Sequence, residues 1–287
     1  MAEDHAEVAL RPRGPLDLRL TLARLKGVEF RPDGAWRSTR TPEGPGSERL
    51  RLVAGELRVE AFGPGAGWLA RHAGELVGEH DRPEEFRPAE PLLRDLQRRF
   101  TGLRIARTNA LFEALLPAIL EQKVTGVEAF VAYRRMVAEL GEAAPHPGAP
   151  RLPPAPEQLA RLPYFRLHPL GVEKRRADTI IRAARAARRL EAGAPLQALG
   201  GIGPWTEAEV RSTAFGDADA VSVGDYHLPH LVSWALAGRR RGSDEEMLEL
   251  LEPYRPHRGR VLRLLELAGA GPPRRGPRMP LRRLAFI

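Results

Sequence analysis

Two features of the chain could do chemistry together. One is a glycine-rich turn opening a helix, Leu199-Gly200-Gly201-Ile202-Gly203-Pro204-Trp205-Thr206, and the other is Asp225, in Val223-Gly224-Asp225-Tyr226. A turn of this kind points consecutive backbone N–H groups outward at a helix N-terminus, where partial positive charge and free donors suit a phosphate. Gly201 and Gly203 permit the tight turn, Ile202 fills the space between the flanking helices, and Thr206 follows in the first helical turn. Asp225 reads two ways. Aspartate at a helix start is a common N-cap. The N–H groups there also favour the charged form of a carboxylate. A charged carboxylate beside a sugar can stabilise an oxocarbenium-like transition state and orient an attacking water. The two readings are compatible.

The partner of such a turn is narrowed by charge. The 287-residue chain carries a formal charge of +8, which favours a polyanion. Almost all of the basic residues are arginines, with Lys26, Lys123 and Lys174 the only lysines; guanidinium forks suit phosphate better than ammonium groups do. There is no cysteine, so disulfides, thiol catalysis and iron–sulfur clusters are excluded. The eight histidines show no His-x-x-x-His pairing, so no catalytic metal is expected. No apolar run is long enough for a membrane span and the acidic N-terminus lacks a signal-peptide core, which predicts a soluble cytoplasmic protein with no membrane partner.

The elements that must position these residues divide at about residue 105. Residues 1–15 read as a disordered lead. Leu16–Leu22 alternates apolar and polar side chains and predicts a strand, as do Trp36–Thr41, Arg49–Val53 and Leu57–Phe62. Short helices are expected at Trp68–Val77 and Ala89–Phe100. Residues 16–105 therefore predict a small antiparallel sheet with helices. Residues 106–271 carry apolar residues at helical spacing over Leu111–Gln122, Val127–Leu140, Pro156–Leu162, Glu173–Leu190, Trp205–Phe215, Tyr226–Gly238, Asp244–Leu251 and Arg258–Ala268. Ser243 with Glu246 predicts a capping box. Residues 272–287 form a basic, proline-broken tail. The fold class expected is α+β, a sheet domain ahead of an all-helical body. No strand precedes the glycine turn, which argues against a dinucleotide site. The arginine-rich helix before it (Lys174 to Arg189) favours a helix–hairpin–helix DNA grip.

In order and spacing, five segments resemble the helix–hairpin–helix (HhH-GPD) DNA glycosylases, in particular the AlkA-like 3-methyladenine branch. They are Ala114–Thr125 (ALLPAILEQKVT), Arg175–Ile180 (RRADTI), the hairpin, Asp225, and Tyr254–Val261 (YRPHRGRV). The resemblance covers about residues 16 to 270. It implies a monofunctional enzyme that flips alkylated purines out of duplex DNA and hydrolyses the N-glycosidic bond, leaving an abasic site for base excision repair. Asp225 matches the catalytic aspartate of the family, and Trp205 an aromatic position of its base pocket. Tyr226, Tyr254 and His257 are candidate further walls of that pocket. Gly201, Ile202, Gly203 and Thr206 are expected at the DNA backbone. Gln122 or Lys123 is expected to fill the gap left by the extruded base.

The chain also departs from that pattern. Bifunctional relatives place a lysine nucleophile where Trp205 stands, so no amine for Schiff-base lyase chemistry is evident. His257 replaces a frequent tryptophan, and Glu209 stands where a tyrosine can occur; a less aromatic pocket implies a narrower substrate range. Gly200 replaces the usual hairpin proline. No cofactor is expected beyond a monovalent cation at the hairpin carbonyls, which is a habit of the family. A monomer acting on damaged duplex DNA is expected. The alternatives are a noncatalytic duplex-binding protein in which Asp225 only caps, a glycosylase for hypoxanthine, uracil or an oxidised purine, and a hydrolase of free nucleosides, which the charge and the hairpin disfavour.

Overall fold

The computed structural model describes residues 4–273. Strands β1 (His5–Leu10), β2 (Glu29–Arg31), β3 (Gly34–Thr41), β4 (Gly44–Val53) and β5 (Glu56–Phe62) form one antiparallel sheet in the order β1-β5-β4-β3-β2. The helices are α1 (Leu18–Leu22), α2 (Ala66–Leu76), α3 (Pro91–Arg99), α4 (Leu111–Leu120), α5 (Gly126–Leu140), α6 (Pro156–Leu159), α7 (Lys174–Glu191), α8 (Pro204–Ala214), α9 (Leu228–Ala237), α10 (Asp244–Leu251) and α11 (Arg258–Ala268). The chain is thus an α+β fold, a five-stranded sheet followed by a helical body. The basic tail lies, from residue 274 onward, outside the described residues.

Two N-terminal expectations are corrected. Residues 5–10 of the supposed disordered lead are the edge strand β1, in register with β5 from His5↔Phe62 to Leu10↔Leu57. Val8 and Leu10 on its inner face pack against the sheet core, burial that repays ordering the segment. The Leu16–Leu22 stretch contains helix α1 rather than a strand. Asp17 caps it by accepting from the Leu20 N–H at 2.9 Å, a local bond that competes with strand pairing. The alternating leucines serve a different purpose: Leu16, Leu18 and Leu22 pack into the sheet core, while Leu20 packs with α9 to α11.

Helix α4 runs through the centre of the helical body, with nine of its ten residues buried, as a sequence apolar at every position but Glu113 requires. It packs against α5, α7 and α8. The buried Arg176 of α7 donates to the Leu120 carbonyl at 2.7 Å, satisfying a free acceptor at the C-terminus of α4 and fixing the turn that carries Gln122 and Lys123. A second core combines α9 to α11 with Leu93 and Leu96 of α3. The cores therefore do not divide at residue 105, because α3 belongs with the last helices. At Ser243 the side chain accepts from the Glu246 N–H, while the Glu246 carboxylate turns to Arg239.

The sheet meets α4 through buried polar groups. Arg37 and Glu48 are cross-strand partners joined at 3.2 Å, and Arg37 also donates to Thr39. Glu113 of α4 accepts from the Thr39 hydroxyl at 2.7 Å and the Arg40 N–H at 2.8 Å. Burial pushes the Glu48 carboxyl from its ordinary 4.5 up to about 7, against the opposing pull of Arg37. A carboxyl raised on folding binds its proton more tightly in the native state. Its stabilising contribution is complete below the unfolded pKa and is lost as pH rises through about 7. The thermal midpoint is expected to fall as pH is raised across that window. Glu48→Gln should flatten the fall, and an unaltered profile in that variant would assign the dependence to other groups.

Candidate active site

The hairpin lies between α7 and α8. Gly201 has φ +97°, a left-handed conformation in which a Cβ would sit 2.5 Å from the Thr179 hydroxyl; both conformation and space require glycine. The Ile202 N–H closes the turn on the Leu199 carbonyl, and the Ile202 side chain is buried in the central core. Gly203 is the N-cap of α8 and Pro204 its first residue. Gly203 offers no capping side chain, so the first N–H groups of α8 stay available beyond the turn. The side chains of Ile202 and Thr206 point inward, so these residues can face DNA only through their backbone. Thr206 is buried, and its hydroxyl accepts from Gln122 Nε2 at 2.9 Å. The backbone of the turn is what remains to meet a phosphate.

The hairpin carbonyls are already engaged. Those of Leu199, Gly201 and Gly203 accept from the Ile202 N–H, Gln122 Nε2 and the Glu207 N–H, and that of Gly200 accepts from Arg182 Nε at 3.2 Å. A guanidinium on Gly200 opposes a cation by like charge, so the turn is a poor fit for the expected monovalent ion. Among the described residues there is no cluster of His, Cys, Asp or Glu suited to a metal, and no helix is long and apolar enough to cross a membrane.

Asp225 lies two residues before His227, the N-cap of α9. Its Oδ1 accepts from the backbone N–H of His227 at 2.6 Å and of Leu228 at 2.9 Å, and its Oδ2 accepts from Trp205 Nε1 at 3.0 Å. The carboxylate thus does the work of a cap, yet it also lines a cavity of about 410 Å³ together with Trp205. A carboxylate offers about four lone-pair sites. Three are engaged, which leaves acceptor capacity for a sugar or a water. The loop leading to Asp225 is clamped by Asp219, which accepts from the Arg258 backbone and guanidinium at 2.7 to 3.1 Å. Burial would raise the Asp219 carboxyl, but the bonds from Arg258 outweigh it and hold the group below its usual range.

The cavity wall differs from the expected aromatic pocket. Trp205 is its one aromatic ring among the described residues. Tyr226 is 79% exposed, its ring set edge-on to His227 and His230. Tyr254 and His257 are buried at 8% and 5% exposure in the second core, tilted and edge-on against Phe86 at 6.3 and 5.7 Å. Burial against Phe86, in the segment before α3, has claimed both rings, and burial, followed by nearby Arg260, lowers the His257 pKa. These three pocket assignments are therefore corrected. In their place the wall carries Arg24, Lys26, Arg37, Arg263, Glu113, Glu121, Glu209 and Glu266. Arg24 Nη2 meets Glu209 Oε2 at 2.5 Å, and Lys26 Nζ meets Glu121 Oε1 at 2.9 Å. The sequence contains no local sign of Arg24 or Lys26, since they reach the cavity from the segment following α1. Glu209 was visible only as a departure from a motif.

Gln122 and Lys123 also separate. Gln122 Nε2 bridges the Gly201 carbonyl and Thr206 at 2.9 Å each, which ties it to the hairpin. Lys123 is exposed, with φ +56°, at the tip of the turn after α4.

With this geometry in hand, comparisons with known proteins converge. Residues 116–256 match the HhH-GPD superfamily base excision DNA repair proteins. The chain is 28% identical over 186 residues to a DNA-3-methyladenine glycosylase of Bacillus subtilis strain 168; the match spans 60% of this chain and 61% of that relative's length. The 3-methyladenine DNA glycosylase of Archaeoglobus fulgidus superposes with a TM-score of 0.77 over 90% of this chain and 97% of that one, at 20% identity. An 8-oxoguanine glycosylase/lyase of Clostridium acetobutylicum superposes with a TM-score of 0.67 over 91% and 95%, at 14% identity. Both superpositions speak to the fold. The hairpin, the α+β architecture and the family match agree: residues 116–256 of this chain are a domain of the HhH-GPD superfamily of base excision DNA repair proteins.

Proposed function

We propose that the protein is a monofunctional DNA glycosylase that hydrolyses the N-glycosidic bond of alkylated purines, of the 3-methyladenine type, in duplex DNA. The observation that carries this reading is Asp225, held by two backbone N–H groups and Trp205 Nε1 at the wall of a base-sized cavity. The N–H groups of the hairpin anchor a phosphate of the flanking strand, and the excess of basic residues supplies the sequence-independent part of duplex affinity. The extruded base enters the cavity, where a cationic alkylated ring gains from the face of Trp205. As the glycosidic bond lengthens, positive charge builds on the sugar. Asp225 stabilises that charge and orients a water whose attack yields the abasic site. Lys123 at the exposed turn tip is the better gap filler, since Gln122 is tied to the hairpin.

Hydrolysis without strand cleavage is favoured by Trp205 standing where the lyases carry a nucleophilic lysine. Lys26 is the lysine that lines the cavity, and its ammonium is engaged by Glu121. The test is to incubate the protein with methylated duplex. Release of 3-methyladenine and 7-methylguanine, with strand breaks only after added alkali and no borohydride-trapped adduct, is the expected result. An adduct that disappears in Lys26→Ala would overturn the monofunctional reading; binding with no base release would leave a noncatalytic duplex-binding protein.

A further inference from the structure

The charged wall of the cavity offers a means of choosing among bases. Trp205 and Glu209 are four residues apart on α8, so they share one face about one 5.4 Å turn apart. Trp205 is bonded to Asp225, at the sugar end. Glu209 therefore stands along the same wall at about the distance from a sugar to the far edge of a purine. It is held rigidly: Oε1 accepts from the Ser222 hydroxyl at 2.5 Å and Oε2 from Arg24 at 2.5 Å. The neighbouring Glu209 charge raises the Arg24 guanidinium above its already high range, so Arg24 acts only as a donor. With about four lone-pair sites on the carboxylate and five N–H groups on the guanidinium, the pair keeps unused acceptors beside unused donors at the cavity.

Resting on the proposed function, we infer that Glu209 and Arg24 read the hydrogen-bonding edge of the extruded base and favour guanine-type lesions over adenine-type ones. The edge of a guanine presents two adjacent donors, N1–H and the exocyclic amine, next to the O6 acceptor. A carboxylate takes both donors as a fork, and a guanidinium meets O6. An adenine edge presents one amine donor beside the N1 acceptor, and so makes one charge-assisted bond fewer. Alkylation at N7 puts positive charge on the guanine ring and strengthens N1–H as a donor to Glu209. A base that does not match leaves desolvated charge unpaired, and such mismatches discriminate far more strongly than shape does. The pocket thus selects by polar complementarity where an aromatic pocket would select by stacking.

The experiment compares wild type, Glu209→Gln and Ser222→Ala. Release of 7-methylguanine and 3-methyladenine from methylated duplex is measured alongside calorimetric binding of each free base. Wild type is expected to favour the guanine-type base in both assays. Glu209→Gln should lower that preference roughly 10- to 100-fold, the worth of one bidentate pair, with 7-methylguanine release falling by clearly more than 3-methyladenine release. Ser222→Ala, which frees one carboxylate oxygen without removing the charge, should lower it in the same direction by less. A thermal midpoint matching wild type shows that each variant is folded. A wild-type preference for the adenine-type base, or equal loss for both bases in Glu209→Gln, would make the ion pair a structural strut and overturn the inference. Free-base binding separates this outcome from failure of the function itself: retained discrimination without release sinks excision and leaves the reader standing, whereas release without discrimination does the reverse.

Discussion

Asparagine at position 225 is expected to lower the rate of base release by about 10²- to 10³-fold, the size of the effect when a single preorganised electrostatic group is removed from an active site. The substitution separates the two roles of this side chain. An amide oxygen can still accept from the N–H groups of His227 and Leu228, and asparagine is as good at helix starts as aspartate, so the fold should survive. The negative charge, however, is gone. Moreover, the amide nitrogen now faces Trp205 Nε1, where Oδ2 was an acceptor, setting donor against donor. Single-turnover release from methylated duplex measures the chemical step, and duplex affinity measured in parallel should remain within a few-fold of wild type. Undiminished release by a folded Asp225→Asn protein would reduce Asp225 to a cap and end its role in catalysis.

The largest stability effect is expected at the ion pair between Asp81 and Arg260, whose side chains are only 1% and 3% exposed. Asp81 also accepts from the N–H groups of Arg82 at 3.0 Å and Ile105 at 2.9 Å. It thereby links the end of the N-terminal half to α11. Asp81→Ala leaves a guanidinium buried without its counter-charge, and Arg260 Nε already has no partner. Breaking one side of such a pair costs about 3–5 kcal/mol, a large share of the roughly 5–15 kcal/mol that holds a domain together. Urea denaturation should show a matching drop in midpoint at unchanged slope. Replacing both partners, as Asp81→Leu with Arg260→Met, should recover much of the loss, because no unpaired charge remains. A cost below about 1 kcal/mol for the single change would mean that water reaches Arg260. Function would be affected too, since the Arg260 N–H holds the Ala218 carbonyl at the base of the loop leading to Asp225.

Much of this arrangement was legible in the chain because it is local. The helix starts follow from apolar spacing and capping residues, with α10 and α11 observed at the expected bounds. The glycine turn was legible because Gly201 must adopt a left-handed φ. Asp225 was legible through its position before a helix, and its dual role follows from the same N–H groups that cap it. Local patterns misled where a distant partner decided the outcome. Residues 5–10 carry little intrinsic order and become a strand only because β5 offers a free edge. Alternation in Leu16–Leu22 reads as a strand, yet its leucines divide between two cores on opposite sides of a short helix.

By itself, then, the sequence determined the element types of the helical body, the hairpin, the aspartate that follows it and the absence of thiol chemistry. Backbone conformation and capping act over a few residues, and composition needs no fold at all. Only the tertiary structure decided what faces the cavity. Tyr254 and His257 went to the core because Phe86, far earlier in the chain, supplies an apolar partner for both rings. Arg24 entered the cavity because Glu209, 185 positions later, supplies the opposite charge that repays its burial. Burial and charge pairing depend on which surfaces meet, and no local pattern encodes that.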